Sequence, residues 1–170
     1  RAPISVTAIP AEGIANAGLQ STNDLANTTP GLQMNMARNV VSPYLRGVGS
    51  RALGPGIESP VALYTDGVYI GNGSSVLNFS NIERVEVLKG PQGTLFGRNA
   101  TGGLVQVITK DPGFEFAADG SVEYGNYETF RGTGYVTGPV ASGISADLAG
   151  YVTLQGNGYG NNLTTGEDVY

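Results

Sequence analysis

Charged residues and glycines crowd into one stretch, IERVEVLKGPQGTLFGRNATGGLVQVITK from Ile82 to Lys110. There Glu83, Arg84, Glu86, Lys89 and Arg98 are interleaved with Gly90, Gly93, Gly97, Gly102 and Gly103. Two chemistries suit such a pattern. A glycine-rich loop closed by Lys-Ser or Lys-Thr would cradle phosphates, but Gly97 is followed by Arg98-Asn99-Ala100, so nucleotide binding is rejected. The other is ion pairing along a strand. Arg84 and Glu86 lie two residues apart, share one face of an extended chain, and can pair with each other or with a facing surface. No carboxylate pair, nucleophile–base set or metal cluster stands out. With no cysteine and no histidine, disulfides, zinc-thiolate sites and imidazole chemistry are excluded within these residues. Neither an enzyme nor a cofactor is expected.

The elements that must position these side chains follow from turn residues and alternation. Val85, Val87 and Leu88 mark a short strand stopped by Gly90-Pro91, and Leu104 to Thr109 marks a second. The glycines between them make a tight connector, because only glycine takes positive φ or close backbone approach cheaply. Upstream, Ser5 to Ile9 reads as a strand closed by Pro10. A helix is expected over Ala11 to Ala17, capped by Gly18. Another is expected from Ser21, with Asp24 reaching back in a capping box and Pro30-Gly31 ending it. Leu32 to Met36 and Pro43 to Arg46 read as strands, and Leu53 to Pro60 as a loop. Val61–Tyr64 and Val68–Ile70 flank Asp66-Gly67, a strong hairpin signal, followed by a small polar loop from Gly71 to Ser75.

Composition changes at Pro112. Up to that residue there are eight basic and seven acidic residues and eight of the nine prolines. From Gly113 onward there is one basic residue, Arg131, against seven acidic ones, with six of the nine tyrosines and twelve of the 27 glycines. We therefore expect two domains, 1–112 and 113–170. The overall charge of −5 leaves no basic stripe, which argues against nucleic acid as a partner. Neither end reads as a signal peptide, so any such segment is expected to have been removed or omitted. No apolar run approaches the roughly 18 residues of a spanning helix, so contact with a membrane would have to use β-strands.

The second segment alternates cleanly. Ala118, Gly120, Val122 and Tyr124 oppose Asp119, Ser121 and Glu123. Phe130, Gly132, Gly134 and Val136 oppose Thr129, Arg131, Thr133, Tyr135 and Thr137. Ala146, Leu148, Gly150, Val152 and Leu154 oppose Ser145, Asp147, Ala149, Tyr151 and Thr153. Each run is close to the 9–11 residues with which a tilted strand crosses a bilayer. Gly125-Asn126-Tyr127 and Gly138 to Gly143 read as compact turns, and Gly156 to Gly166 as a longer loop. A soluble antiparallel sheet would show the same alternation. Its oily face, however, is built largely of Ala and Gly and would bury little area at about 25 cal/mol per Å².

The stretch from Ile82 closely resembles the plug-domain signature of TonB-dependent outer-membrane receptors: a Glu/Arg strand, a G-P-Q loop, a T-L-F-G-R-N segment and a G-G pair. Pro3 to Pro10, Asp24-Leu25 leading to Pro30-Gly31-Leu32, Leu45-Arg46-Gly47 and Asp66-Gly67-Val68-Tyr69 resemble further plug motifs in the same order, so the likeness covers residues 1 to about 112. It implies an α+β plug domain, a small mixed sheet with short helices, followed by antiparallel strands of a transmembrane β-barrel. Ile82–Lys89 would be the plug's central strand, and Lys110 to Gly113 the passage from plug to wall. Receptors of this family have 22-stranded barrels, so residues 113–170 would be the first three or four strands of an incomplete barrel, the chain being a fragment of the receptor.

The resemblance implies import of a scarce solute across the outer membrane of a Gram-negative bacterium, with the plug gating the barrel. The expected solute is a ferric siderophore. Cobalamin or oligosaccharide import, or a signalling or surface-recognition receptor on the same fold, are the alternatives. Expected partners are outer-membrane lipid, a small-molecule or metal-chelate ligand, and the TonB energy-coupling complex through an N-terminal box that would precede Arg1. Arg46, Glu83, Arg84, Glu86, Lys89 and Arg98 are the charged residues of the family-like motifs, with a seating or gating role. Ligand contact falls to loops, which by resemblance face the outside: Arg38, Asn39 and Arg51, and then Asn72, Ser74 and Asn78 with Phe79 behind them.

Overall fold

The computed structural model describes residues 5–37, 40–50, 57–71, 79–97, 99–161 and 168–169. The chain divides into two compact units, Arg1–Lys110 and Asp111–Tyr170.

The first unit opens with β1 (Ser5–Pro10) and the short helix α1 (Ala11–Asn16), followed by a 3₁₀ turn over Thr22–Asn27. A hairpin of β2 (Leu32–Ala37) and β3 (Val40–Leu45) comes next, then β4 (Val61–Thr65) and β5 (Val68–Ile70). It ends with β6 (Ile82–Lys89), the one-turn helix α2 (Gly93–Phe96) and β7 (Gly103–Thr109). Five strands form one sheet in the order β1-β6-β7-β4-β5. Only β4 and β7 pair in parallel, which makes the sheet mixed.

Alternation decides which face is dry. Val85 and Val87 of β6, Val105 and Val107 of β7, and Val61 and Leu63 of β4 join one buried cluster with Ile14, Leu19, Leu25, Leu32 and Leu45. Each fully buried aliphatic side chain of this kind contributes about 1.5–3 kcal/mol. The segment between β1 and β4 therefore acts as a lid for one side of the sheet. A smaller cluster of Ala62, Tyr64, Ala100 and Leu104, packed with Leu88 and Phe96, covers part of the other side.

Several expectations are corrected. Ile82–Lys89 is not the central strand, since β7 occupies the middle with Val105 at 0% and Val107 at 1% exposure. The helix expected after Ser21 is a single 3₁₀ piece. Thr, Asn and Asp compete for backbone hydrogen bonds, and Pro30 bars continuation, so only a short tight turn forms. Its N-terminus does close as expected, with the Asp24 carboxylate accepting the amide of Ser21 at 2.8 Å. The strand expected over Pro43–Arg46 starts earlier, at Val40, and stops at Leu45. Arg46 and Gly47, at φ 53° and 82°, instead form a two-residue hairpin turn between Leu45 and Val48. The glycine-rich connector holds the helical turn α2, which was not foreseen. Asp66-Gly67 makes the expected turn between β4 and β5, with φ 47° and 78°.

The second unit contains β8 (Ala117–Gly125), β9 (Thr129–Ala141) and β10 (Ile144–Gln155) in an antiparallel sheet ordered β10-β9-β8. Gly160–Asn161 pairs briefly with Asp168–Val169; residues 162–167 of the long loop lie outside the described part. The expected turn over Gly138–Gly143 is shorter than that, because β9 runs on to Ala141 and Ser145 pairs with Pro139. Proline is tolerated there because the β8 ladder begins at Ala117 opposite Thr137, so no β8 carbonyl needs the missing N–H.

Candidate functional site

In the first unit, the register places Ala8, Glu86, Gln106, Tyr64 and Tyr69 in one row across all five strands. This row lies on the face opposite the large cluster. Arg84 shares that face with Glu86, and its Nε donates to Glu86 Oε1 at 2.7 Å while its Nη1 bonds the Glu83 carboxylate. All three side chains are partly exposed, Arg84 at 39%. Hydrogen bonding to Glu86, and then the charges of Glu83 and Glu86, raise the Arg84 pKa, opposed by partial burial. The arrangement is a pre-organised guanidinium on a half-open strand face, suited to ion pairing and not to proton transfer.

The remaining candidates separate. Lys89 Nζ donates to the carbonyl of Pro30 at 3.1 Å and so ties the end of β6 to the start of the β2–β3 hairpin. Arg46 sits in the hairpin turn with its side chain exposed and its amide donated to Gly31 O at 2.7 Å. Phe79 donates its amide to Gln20 O at 2.9 Å and packs its ring against the main cluster. Arg38, Asn39, Arg51, Asn72, Ser74, Asn78 and Arg98 lie outside the described residues. No group of three or more acidic side chains capable of holding a metal ion occurs among the described residues.

Other contacts were not visible in the sequence. Asp66 accepts the amide and the hydroxyl of Thr109, each at 2.9 Å, and thereby locks the β4–β5 turn onto the end of β7. Tyr64 donates its hydroxyl to Phe96 O at 2.6 Å and stacks edge-on against Phe96 and Tyr69. The Asp-Gly pair announces its turn, but nothing local announces a partner 43 residues away.

In the second unit, register turns three separate alternations into one surface. Leu148, Val136 and Ala118 stand side by side, as do Gly150, Gly134 and Gly120; Val152, Gly132 and Val122; and Leu154, Phe130 and Tyr124. Val122 is 74% exposed and Leu148 72%. The opposite face carries Asp119–Tyr135–Ala149, Ser121–Thr133–Tyr151 and Glu123–Arg131–Thr153, with Ser121 and Thr133 hydroxyls 2.7 Å apart. A twelve-residue strand rising about 3.4 Å per residue and tilted about 45° climbs about 29 Å, enough for a bilayer's hydrocarbon core. Among the described residues no helix is long and apolar enough to cross a membrane.

Comparison with known proteins agrees with this geometry. A family profile described as the TonB-dependent receptor plug domain matches residues 1–104. The pesticin receptor of Yersinia pestis is 31% identical over 155 residues, a match covering 89% of this chain and 22% of that protein. An iron-regulated outer membrane virulence protein of Vibrio cholerae is 26% identical over 179 residues, covering 94% of this chain and 27% of its own length. Among solved structures, the ferric yersiniabactin uptake receptor FyuA from Yersinia pestis superposes with a TM-score of 0.79 at 27% identity, covering 97% of this chain and 26% of that one. The chain thus spans about a quarter of the length of these relatives. It belongs to the family of TonB-dependent outer-membrane receptors of Gram-negative bacteria, with its plug domain matched over residues 1–104.

Proposed function

We propose that this chain is the plug, residues 1–112, and the first wall strands, residues 113–170, of a receptor that imports a ferric siderophore and is no enzyme. The observation that carries this reading is that one chain holds a plug domain and, after it, a sheet whose apolar rows are continuous across three strands and exposed. The wall's oily face meets lipid, and its polar face lines a lumen where contacts with the plug can be exchanged for water.

In this scheme the Arg84–Glu86–Glu83 group seats the plug, with Arg46, Lys89 and Arg98 in supporting positions. The loops holding Arg38, Asn39, Arg51, Asn72, Ser74 and Asn78 meet the ligand, with Phe79 anchoring the last of them to the core. TonB supplies the pull through a box at the N-terminal side. That the similar receptor FyuA of Yersinia pestis takes up ferric yersiniabactin supports an iron-chelate ligand. The test is growth of a deletion strain under iron limitation, compared with growth on defined glycans. Poor growth under iron limitation alone is expected; a defect on a glycan alone would sink the iron reading.

A further inference from the structure

The covalent joint between the two units is pinned on both sides. Before it, Lys110 donates its amide to Asn81 O at 2.9 Å and Thr109 is held by Asp66. After it, Gly113 donates its amide to Thr137 Oγ1 at 2.8 Å, and Ser145 Oγ donates to Pro112 O at 3.0 Å. Thr137 and Ser145 both belong to the polar face of the β9–β10 hairpin, so two neighbouring strands grip the incoming segment from opposite chemical ends: one accepts its N–H, the other donates to its carbonyl. Thr137 is only 8% exposed, the one buried residue in β8, β9 and β10. Its hydroxyl donates onward to Ala146 O at 3.4 Å, so both of its roles are in use. Asp111 is the single residue between the two sets of anchors, and the ring of Pro112 fixes its own φ.

We propose that Thr137 and Ser145 form a clamp that keeps Pro112–Gly113 on the wall, so that a pull on the plug is stopped at Asp111 and cannot peel the linker off the polar face. This rests on the receptor reading above. The clamp makes the plug's C-terminal end the fixed end: displacement of the plug pivots at Asp111, and the first barrel strand keeps its register while the plug moves.

The test uses the full-length receptor that carries this chain, in outer-membrane vesicles. Thr137→Val keeps a β-branched side chain in the strand but removes the acceptor, and Ser145→Ala removes the donor on the neighbouring strand. Thr133→Val is the control, since its hydroxyl contacts Ser121 and not the linker. Hydrogen–deuterium exchange over residues 111–116 should be slow at Gly113 in the wild type. Exchange at Gly113 should be at least about tenfold faster in Thr137→Val and unchanged in Thr133→Val. The Thr137→Val/Ser145→Ala double variant should also admit a large antibiotic that the wild type excludes. Fast exchange at Gly113 in the wild type, no acceleration in Thr137→Val, or no added leakage in the double variant would each overturn the clamp. Failure of the wild-type receptor to reach the outer membrane would instead count against the receptor reading, and Gly113 exchange in refolded protein would still test the clamp.

Discussion

The two sheets of this chain are written in nearly the same code and end in opposite environments. In the plug, alternate valines of β6 and β7 disappear into a core, with Val85 and Val87 at 0% exposure. In the wall, Val122 and Leu148 occupy equivalent alternate positions and stay at 74% and 72%. The difference lies in what the chain inserts between β1 and β4 of the plug sheet. Ile14, Leu19, Leu25, Leu32 and Leu45, carried by α1, the segment after it, the 3₁₀ turn and the β2–β3 hairpin, cover the plug's valines. Among the described residues of its own unit the wall receives no comparable lid. Alternation tells that a strand has two faces; the apolar side chains available nearby tell whether the oily one is destined for protein or for lipid.

Glycines sharpen the contrast and offer the largest expected effect. A Cβ on Gly103, at φ 140°, would lie 2.5 Å from Leu88 O and 2.6 Å from Leu45 Cδ2, whereas one on Gly134 or Gly150 would meet nothing within 4 Å. Gly103→Ala should destabilise the plug by about 4 kcal/mol or more, and Gly134→Ala should change wall stability by about 0.5 kcal/mol or less. Denaturant unfolding of the full-length receptor checks both, and equal effects would break the comparison. Next in size, Leu148→Arg should cost about 2–4 kcal/mol of membrane stability if it meets the bilayer core. Tyr135→Arg, on the opposite face, should assemble normally. Folding into vesicles of each variant is the measurement.

Smaller effects belong to the plug's polar contacts. Asp66→Ala removes two hydrogen bonds from Thr109 and places alanine at φ 47°, for an expected loss of about 1–3 kcal/mol in the plug's unfolding transition with wall assembly unchanged. Smallest of all in stability is Arg84→Ala with Glu86→Ala. These half-exposed side chains hold no core, so the unfolding midpoint should barely move, while leakage of a large antibiotic through the pore should rise. Unchanged leakage would remove the seating role.

Much of this was legible along the chain because it depends on neighbours. The Asp66-Gly67 turn, the Arg84–Glu86 pairing and the two-faced wall strands all follow from residues one to a few positions apart. What was missed depends on context. Arg46-Gly47 lacks the Asn or Asp that marks such turns, yet Arg46 is held at positive φ by the Leu45–Val48 bridge and by the hydrogen bond from its amide to Gly31 O. α2 is four residues set between glycines, kept in place by the distant hydroxyl of Tyr64. Gly138 to Gly143 reads as a turn, yet β9 continues through Pro139 to Ala141, because proline breaks a strand only where a partner asks for its N–H. The central place of β7 could not be read locally, since its parallel pairing with β4 joins residues about 40 positions apart. Of the residues proposed to meet ligand, Phe79 is a core anchor, and the rest lie outside the described segments.

The central claim is that residues 113–170 are barrel wall with their apolar rows toward lipid. Residues 1–170 contain no cysteine, so single cysteines placed along β8, β9 and β10 of the full-length receptor, with any cysteine outside this segment replaced by serine, test it directly in outer-membrane vesicles. A membrane-impermeant, water-soluble maleimide should label Ser121→Cys, Thr133→Cys and Tyr151→Cys from the lumen side once the plug is loosened with urea. It should leave Val122→Cys, Val136→Cys and Leu148→Cys unlabelled, and a lipid-soluble reagent should show the reverse. Labelling without a two-residue period, or with the two faces exchanged, would contradict the account.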